Sequence, residues 1–218
     1  MKVLVILSGG MDSTVALHNT LSEGNSVVKA ITFNYGSKHS DREIKMAIEQ
    51  CRILGVSHEL IDITQIGKHL KSDLLKSGGD IPDGHYEDGV MKKTVVPFRN
   101  GIMLSIAAGI AESCGAKAIV LGNHFGDHAI YPDCRDDFAK SMRMAINLGT
   151  YENIDLHTPF QKITKAEIAV IGNKLGVDFS KTYSCYKGGE KHCGTCGTCV
   201  ERKEAFDLSK IIDPTEYL

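Results

Sequence analysis

The segment Ile6-Leu-Ser-Gly-Gly-Met-Asp-Ser-Thr14 joins the first predicted strand to the first predicted helix. It follows the apolar run Met1 to Leu7, and a helical pattern begins directly after it. An ordinary tight turn needs one glycine, whereas two glycines among hydroxyls let the backbone approach an anion closely. At the carboxyl edge of a parallel sheet, the following helix also presents its free N–H groups to such an anion. The stretch therefore predicts a polyphosphate-binding loop.

The loop differs from two common nucleotide-binding motifs. It lacks the Gly-Lys-Ser/Thr ending of a Walker A loop, and it is not Gly-x-Gly-x-x-Gly. Asp12 would repel phosphates unless it faced a magnesium ion, an ammonium group or the helix N-terminus, and this placement favours a metal-bound nucleotide. The alternative is a plain Gly-Gly turn in which Asp12 is only the N-cap of the helix.

Strand and helix patterns alternate along most of the chain. The predicted strands are Lys2 to Leu7, Val27 to Phe33, His58 to Ile63 and Ala118 to Leu121. The predicted helices are Ser13 to Ser22, Ser40 to about Gly55, Asn100 to Ser113, Thr164 to Gly176 and Gly197 to Asp207. Ser40-Asp-Arg-Glu43 and Thr164-Lys-Ala-Glu167 are predicted capping boxes. The alternation predicts an α/β fold whose parallel sheet is covered by helices on both faces.

Length and charge narrow the class of protein. The 218 residues suit one domain with a small appendage. The balance of 25 Lys+Arg against 27 Asp+Glu argues against a broad basic surface for nucleic acid. No apolar run approaches the length needed to cross a bilayer, and no cleavable N-terminal segment is evident. We expect a soluble cytoplasmic protein that binds neither membranes nor, directly, nucleic acid.

One long stretch lacks periodicity. Between Ser72 and Lys93 the sequence is rich in glycine, proline and aspartate. Such a stretch inside a compact domain is typical of a mobile lid or a disordered connection, and we interpret it as a lid.

The C-terminal region contains four closely spaced cysteines, Cys185, Cys193, Cys196 and Cys199. Two Cys-x-x-Cys steps suit tetrahedral zinc, and an iron–sulfur cluster would use the same four thiolates. A redox pair would leave the other two thiols unexplained. We predict structural zinc. Cys51 and Cys114 are predicted to be core thiols, and Cys134 is predicted to pack, with a catalytic role as the alternative.

Polar and aromatic residues follow two of the predicted strands or precede a helix. Tyr35 and His39 are suited to stack on a base, although His39 would equally be an exposed residue ahead of the helix cap at Ser40. Arg99 is suited to hold a phosphate or carboxylate, and Asn100 to cap the helix that follows.

Two charged residues further along have competing interpretations. Asp133 would cap the next helix or accept two hydrogen bonds from a guanine-like edge. Lys165 lies in the first turn of a predicted helix, where the helix dipole disfavours a cation. A bound anion would account for Lys165, and the alternative is a solvated lysine.

The motifs together carry a resemblance. Ser-Gly-Gly-x-Asp-Ser resembles the pyrophosphate loop of the N-type ATP pyrophosphatases. With Val96-Pro-Phe-Arg-Asn100, Tyr131-Pro-Asp-Cys-Arg135, Lys165-Ala-Glu-Ile168 and Ser184-Cys-Tyr186, the chain resembles the QueC family of 7-cyano-7-deazaguanine synthases over nearly its whole length.

The resemblance implies a Rossmann-like, adenine nucleotide alpha hydrolase-like fold, with residues 1–180 as the ATP pyrophosphatase domain and 181–218 as a zinc-binding segment packed on it. It implies a carbon–nitrogen ligase that converts 7-carboxy-7-deazaguanine and ammonia to 7-cyano-7-deazaguanine through an adenylated carboxylate and an amide. ATP, Mg²⁺ and one structural Zn²⁺ are the implied cofactors, and the implied assembly is a homodimer.

The resemblance also implies roles for individual residues. Catalysis is assigned to Asp12, Arg99 and Lys165, and zinc binding to the four C-terminal cysteines. Substrate binding is assigned to Tyr35, His39, Arg99, Asn100, Asp133 and Arg135. ATP binding is assigned to Leu7, Ser8, Gly9, Gly10, Met11, Asp12, Ser13, Thr14, Val15, Ala16 and Leu17.

The chain departs from the family pattern in two places. Phe98 stands where we expect a small residue such as glycine, and Asn123 to His128 differs from the stretch expected before Tyr-Pro-Asp. A ring beside Arg99 would reshape the acceptor pocket. The rival functions are an enzyme that stops at the amide, one that transfers the activated deazaguanine to another amine in DNA modification or defence, a tRNA thiolation enzyme and a nucleotide-binding regulator without turnover.

Overall fold

The computed structural model describes residues 1–85, 88–126 and 130–218. Its centre is a five-stranded sheet with the strand order β3-β2-β1-β4-β5, and every neighbouring pair is parallel. The strands are β1 Lys2–Ile6, β2 Ser26–Asn34, β3 His58–Asp62, β4 Ala118–Val120 and β5 Asp155–His157. The helices are α1 Met11–Ser22, α2 Ser40–Leu54, α3 Thr64–Gly67, α4 Arg99–Ser113, α5 Asp136–Gly149, α6 Lys165–Lys174 and α7 Gly197–Ser209.

The sheet has a switch point beside its central strand. β1 pairs with β2 on one side and with β4 on the other, so the chain reverses its direction of travel across the sheet there. In open α/β sheets, ligands bind in the crevice outside the carboxyl ends of the strands at such a point. The loop that follows β1 therefore lies at the expected ligand site.

The apolar run of β1 is buried on both faces, as a central parallel strand requires. Val3 and Val5 pack in a cluster with α1 and α6, and Leu4 and Ile6 pack in a second cluster with α4. The predicted α/β fold with helices on both faces of a parallel sheet is therefore confirmed.

β5 was missed in the sequence because only one of its residues carries the strand signal. Leu156 is buried, whereas its neighbours Asp155 and His157 are polar and only partly buried. A strand of three residues with one apolar side chain is too short to show the alternation of apolar and polar residues that predicts a strand.

One predicted capping box is correct and the other is wrong. Thr164 Oγ1 accepts from Glu167 N (3.3 Å), and Glu167 Oε2 accepts from Thr164 N (2.7 Å) at the start of α6. At α2 the N-cap is His39, and Ser40 is the first helical residue. The Ser40 hydroxyl donates instead to the carbonyl oxygen of Ser37 at 2.9 Å.

The stretch from 72 to 93 packs against the rest of the chain over most of its described length. Leu74 and Leu75 are buried in the core. Lys38 Nζ donates to the carbonyl oxygens of Asp73 (2.7 Å) and Gly78 (3.3 Å). Tyr86 and Glu87 lie outside the described residues. Its role as a lid stays a prediction.

One apolar stretch is longer than expected from the sequence. Gly89–Ser113 spans 25 residues and is apolar enough to cross a membrane by length and composition, so the expectation that no run approaches this length was wrong. Half of the tested window is buried inside the fold, and Leu104 and Ala107 belong to the core cluster on one face of the sheet. The stretch is a core helix preceded by a short 3-10 turn.

The C-terminal residues are joined to the preceding chain by a buried arginine. Arg202 on α7 is 0% exposed. Its guanidinium donates to Thr182 Oγ1 (2.8 Å), to the Phe179 carbonyl oxygen (3.1 Å) and to Asp213 Oδ1 (3.1 Å). These bonds fix the middle of α7 against the segment that follows α6 and against the residues after α7.

Candidate active site

The loop after β1 is held open by its own hydroxyls. Ser8 N donates to Ser13 Oγ at 3.1 Å, and Gly10 N donates to Ser8 Oγ at 3.1 Å. The N-cap of α1 is Gly10, which has no side chain to occupy the first N–H groups of the helix. Asp12 is the second helical residue, so the alternative that it is the N-cap is wrong. The helix N-terminus is thus available to an anion.

Gly9 is required by both backbone conformation and space. Its φ is +87°, and an added Cβ would lie 2.2 Å from the carbonyl oxygen of Glu43 on α2. A side chain there would push the loop away from α2 and change its shape.

The structure divides the predicted ATP-binding residues into two groups. One group lines a cleft at the carboxyl edge of the sheet, namely Leu7, Ser8, Gly10, Met11, Asp12 and Ser13. The other group does not line it, and Thr14, Val15, Ala16 and Leu17 are completely buried. Those four side chains support the loop from the core.

Lys165 meets two carboxylates at this end of the cleft. Its Nζ lies 2.6 Å from Glu201 Oε2 and 3.2 Å from Asp12 Oδ2. The side chains of Lys165 and Glu201 are only 10% and 13% exposed, so the solvated-lysine alternative is wrong. The other oxygen of Asp12, Oδ1, is buried and has no hydrogen-bond partner among the described residues.

His124 completes the charged cluster at the phosphate end. Its Nε2 lies 3.8 Å from Asp12 Oδ2 and 3.6 Å from Glu201 Oε1. Its Nδ1 accepts from the backbone N–H of Gly126 at 3.0 Å. Of the departing stretch Asn123 to His128, Asp127 and His128 lie outside the described residues.

Arg99 lines the same cleft as the loop. It donates from Nη1 to Tyr35 OH (2.9 Å), and its guanidinium lies 5.5 Å from the centroid of the Tyr35 ring. No carboxylate in the described ranges lies within 4.0 Å of it. Burial lowers the pKa of Arg99, but nearby Tyr35, Tyr186 and Tyr131 raise it more, so its pKa lies well above its ordinary value. The cleft therefore holds a permanent positive charge without an ion-pair partner in the described chain.

Aromatic side chains form one wall of the cleft. His39 is 2% exposed, so the exposed alternative for it is wrong. Its ring stacks on Tyr186, with centroids 5.3 Å apart. Tyr131 OH lies 3.2 Å from Tyr186 OH and 3.1 Å from Thr94 Oγ1. Burial raises the pKa of Tyr35, which keeps this phenol protonated.

Asp133 caps a helix, but not the one that follows it. Its Oδ2 accepts from the backbone N–H of Asn100 at 2.8 Å, in the first turn of α4. The N-cap of α5 is Arg135, so the prediction that Asp133 caps the next helix is wrong. Asn100 is itself the second residue of α4, so its predicted role as a cap is also wrong.

Two residues flagged in the sequence lie outside the cleft lining. Arg135 is exposed, and it does not line the cleft. Phe98 is 57% exposed, and its ring contacts Phe138 edge-to-face at 5.7 Å. Its φ of +54° is left-handed. The preference for glycine here thus reflects backbone conformation, and the expectation that the ring reshapes the acceptor pocket was wrong.

The four C-terminal cysteines come together as predicted. Their sulfur atoms all lie within 4.8 Å of one another, and Cys193 Sγ lies 3.9 Å from Cys199 Sγ. Four thiolates about 2.3 Å from a zinc ion would be about 3.8 Å apart, so this donor set fits tetrahedral metal binding. Hydrogen bonds among the thiols lower the pKa of Cys196 and raise the pKa of Cys185 and Cys199, because one thiolate accepts from the other two sulfurs.

Sequence reasoning missed Glu201 and His124 as site residues. Glu201 is 36 positions from Lys165 along the chain, and no local pattern connects them. His124 was noticed only as part of a stretch that departs from the family pattern. The one sequence signal for Glu201 is that it is an acidic residue on the helix that also carries Cys199.

Comparisons with known proteins agree with this geometry. The family model described as "Queuosine biosynthesis protein QueC" matches residues 2–210. The chain is 53% identical over 214 residues to a 7-cyano-7-deazaguanine synthase of Porphyromonas gingivalis, covering 98% of this chain and 96% of the relative. It is 51% identical over 215 residues to the Desulfotalea psychrophila protein of the same name, covering 99% and 98%.

A solved structure supports the fold alone. The U34-tRNA thiolase NcsA from Methanococcus maripaludis, solved with its [4Fe-4S] cluster, aligns with a TM-score of 0.51 at 19% identity, over 96% of this chain and 65% of that one. On the family model and the relatives, which match nearly the whole chain, this protein belongs to the QueC family of queuosine biosynthesis proteins.

Proposed function

We propose that this protein converts 7-carboxy-7-deazaguanine, ammonia and ATP to 7-cyano-7-deazaguanine. The observation that carries the proposal is a single cleft lined by both the phosphate loop and Arg99. An anion-binding loop and a guanidinium without an ion-pair partner among the described residues suit the joining of a nucleotide to a carboxylate.

The hydroxyls of Ser8 and Ser13 brace the loop from within, and the N–H groups of the first turn of α1 are presented to the nucleotide phosphates. Asp12 suits a magnesium ion, because its Oδ1 is a buried oxygen without a partner among the described residues. When bound, magnesium neutralises phosphate charge. Lys165 is held close enough to Asp12 to reach the same phosphates.

At the acceptor end, Arg99 binds the carboxylate of the deazaguanine, with Tyr35 fixing the guanidinium plane. The stacked rings of His39 and Tyr186 form a flat wall against which a heteroaromatic base packs. Asn100, Asp133 and Arg135 are assigned to substrate binding by resemblance, and of these only Asn100 lines the cleft.

The chemistry needs activation because a carboxylate would have to expel oxide. Attack of a carboxylate oxygen on the α-phosphorus of ATP releases pyrophosphate and gives the acyl adenylate. Ammonia then forms the C–N bond, AMP leaves with the carboxylate oxygen, and a proton is lost. A second ATP then adenylates the amide oxygen with release of pyrophosphate, and loss of AMP and of the two amide protons gives the nitrile. The protein contributes positioning and charge stabilisation, and no side chain becomes a covalent nucleophile.

Other parts of the proposal concern the whole chain. The four-cysteine cluster binds one structural zinc ion, since it offers no open ligand position. Residues 1–180 form the catalytic unit and 181–218 the zinc-binding segment. The protein is a cytoplasmic homodimer, which light scattering tests directly.

Product identification tests the proposal. Purified protein is incubated with ATP, 7-carboxy-7-deazaguanine and ¹⁵N-ammonia, and the base is analysed by mass spectrometry. We expect the ¹⁵N-nitrile together with AMP. Accumulated ¹⁵N-amide would show that the enzyme stops one step earlier, and absence of AMP formation would contradict ligase activity.

Two variants sharpen that experiment. Asp12→Ala should abolish nitrile formation while the bound metal of the cysteine cluster is retained. Arg99→Gln should raise the KM for the acceptor about 100-fold or more, since a charge-assisted contact is lost. Arg52→Gln is the matched control, because Arg52 is an exposed arginine paired with Glu49 on α2.

A further inference from the structure

Glu201, on the C-terminal helix, contacts Lys165, which lines the cleft. α7 begins at Gly197, directly after Cys196, and carries Cys199 in its first turn. Two residues later Glu201 accepts a hydrogen bond from Lys165 Nζ at 2.6 Å. This contact is shorter than the 3.2 Å between Lys165 Nζ and Asp12 Oδ2. Neither the glycine loop nor the cysteine motif assigns a role to this carboxylate.

We propose that Glu201 is a positioning residue that holds the ammonium group of Lys165 ready for the nucleotide phosphates. The proposal rests on the proposed function in one respect, namely that Lys165 meets phosphate during the reaction. The placement of Lys165 by Glu201 is a property of the folded chain and is measurable without turnover.

Lys165 needs such a partner for two reasons. It is the first residue of α6, where the positive end of the helix dipole disfavours a cation. Its long side chain also loses considerable rotamer freedom when it is fixed. A nearly buried carboxylate opposes the dipole and fixes the ammonium group before ATP arrives.

Asp12 alone would not meet this need. In the proposed reaction Asp12 serves the magnesium ion, which would compete with Lys165 for the same carboxylate. Glu201 leaves Lys165 paired when Asp12 turns to the metal. The surroundings of Glu201 are tight, since a Cβ added to Gly126 would lie 3.1 Å from its Oε1.

Two glutamates on α7 form a matched pair for the experiment. Glu201 is 13% exposed and faces Lys165, whereas Glu204 is 48% exposed and its Oε2 lies 3.2 Å from His85 Nε2. Glu204→Gln removes a carboxylate from the same helix without touching the cleft. Glu201→Gln keeps an acceptor oxygen for Lys165, and Glu201→Ala removes it.

The first measurement is a double-mutant cycle on turnover. We expect Glu201→Ala to lower kcat about tenfold or more with the KM for the acceptor unchanged, because the ammonium group is misplaced. Glu201→Gln should lower kcat less than Glu201→Ala does, because it keeps an acceptor oxygen for Lys165. In a Lys165→Met background, Glu201→Ala should have less than about a twofold further effect, because its target is gone. If Glu201→Ala lowers kcat by the same factor in the Lys165→Met background as in wild type, the proposal is overturned.

The second measurement reads the position of Lys165 directly. The intact protein is treated with a limiting amount of an amine-acylating reagent, and the modification of Lys165 is quantified by peptide mass spectrometry. We expect several-fold faster modification in Glu201→Ala than in wild type, and no change in Glu204→Gln. Unchanged labelling in Glu201→Ala would overturn the proposal. If Glu201→Ala does not fold, the rate of Lys165 modification is compared between Glu201→Gln and wild type, and a smaller increase is expected.

The two proposals fail in different ways. Absence of nitrile from wild-type protein would refute the proposed function and leave the labelling result standing. Normal nitrile synthesis with unchanged Lys165 labelling would refute the role of Glu201 alone.

Discussion

At the scale of single residues, Asp133 fixes the start of the helix that carries Arg99. Its carboxylate accepts from Asn100 N, and Asn100 Nδ2 donates back to the Asp133 carbonyl oxygen at 3.1 Å and to Cys134 Sγ at 3.2 Å. Arg99 is the first residue of α4, so its position depends on this exchange. The sequence does not reveal this capping contact, because capping residues normally lie next to their own helix. Asp133 is 33 positions from Asn100 along the chain.

The first prediction separates capping by Asp133 from recognition of a base. Asp133→Ala leaves the buried Asn100 N–H without an acceptor, and we expect a loss of about 1–3 kcal/mol in the free energy of unfolding in urea. Asp133→Asn keeps an acceptor oxygen, and its loss in the free energy of unfolding should be less than about half that of Asp133→Ala. If Asp133→Asn instead raises the acceptor KM as strongly as Asp133→Ala while stability is kept, the carboxylate binds the base directly.

The second prediction concerns the strained backbone at Phe98. Phe98→Gly relieves a left-handed conformation that costs a non-glycine residue about 1–2 kcal/mol, and it removes the ring contact with Phe138. These effects oppose each other, so we expect the free energy of unfolding to change by less than about 1 kcal/mol. The acceptor KM should change less than about twofold. A tenfold change in that KM would place the ring at the acceptor.

At the scale of elements, α7 depends on the buried pair of Arg202 and Asp213. Burial raises the pKa of Asp213, but the charge and hydrogen bonds of Arg202, with donors from Tyr217 and Thr215, outweigh burial and lower the pKa below its ordinary value. A carboxyl group whose pKa is lower in the folded state contributes stability above its unfolded pKa of about 3.9. That contribution is lost as the pH falls through the folded pKa.

The third prediction follows from this sign. Asp213→Asn leaves the charge of Arg202 buried without its partner, and we expect a loss of about 3 kcal/mol in the free energy of unfolding at pH 7. At pH 3, below the unfolded pKa of about 3.9, the unfolded chain binds the proton, so the difference between variant and wild type should shrink. Equal differences at the two pH values would contradict the role of the ionised pair.

The fourth prediction concerns the metal of the cysteine cluster. Wild type and Cys51→Ala should each bind one metal ion per chain in elemental analysis, since Cys51 is a buried thiol on α2 outside the cluster. Cys196→Ala should bind almost none and should melt at a lower temperature, because structural metal binding contributes folding free energy. Strong visible absorption with bound iron would show an iron–sulfur cluster in place of zinc.

At the scale of the whole molecule, local patterns predicted the parts but not their long-range pairing. The glycine loop and the four cysteines were predicted because each motif is continuous in sequence and its spacing carries the chemistry. Most helices and strands followed from periodicity. Strand order, the short β5 and the contact of Glu201 with Lys165 depend on tertiary packing, which leaves no local signal. Phe98 was misjudged because sequence does not report a left-handed φ.

Under the proposed function, one cleft serves both substrates. The cleft lies beside the switch point between β1 and β4, and both the loop after β1 and Arg99 at the start of α4 line it. Glu201 on α7 contacts Lys165, which lines the same cleft. We therefore expect two rounds of activation in this one place.

The fate of the carboxylate oxygens distinguishes two rounds of activation from one. 7-Carboxy-7-deazaguanine labelled with ¹⁸O at both carboxylate oxygens is incubated with ATP, ammonia and the protein, and AMP and base are analysed by mass spectrometry. We predict two AMP molecules per nitrile, each carrying one ¹⁸O atom. Unlabelled AMP, or label that remains in an amide product, would contradict it.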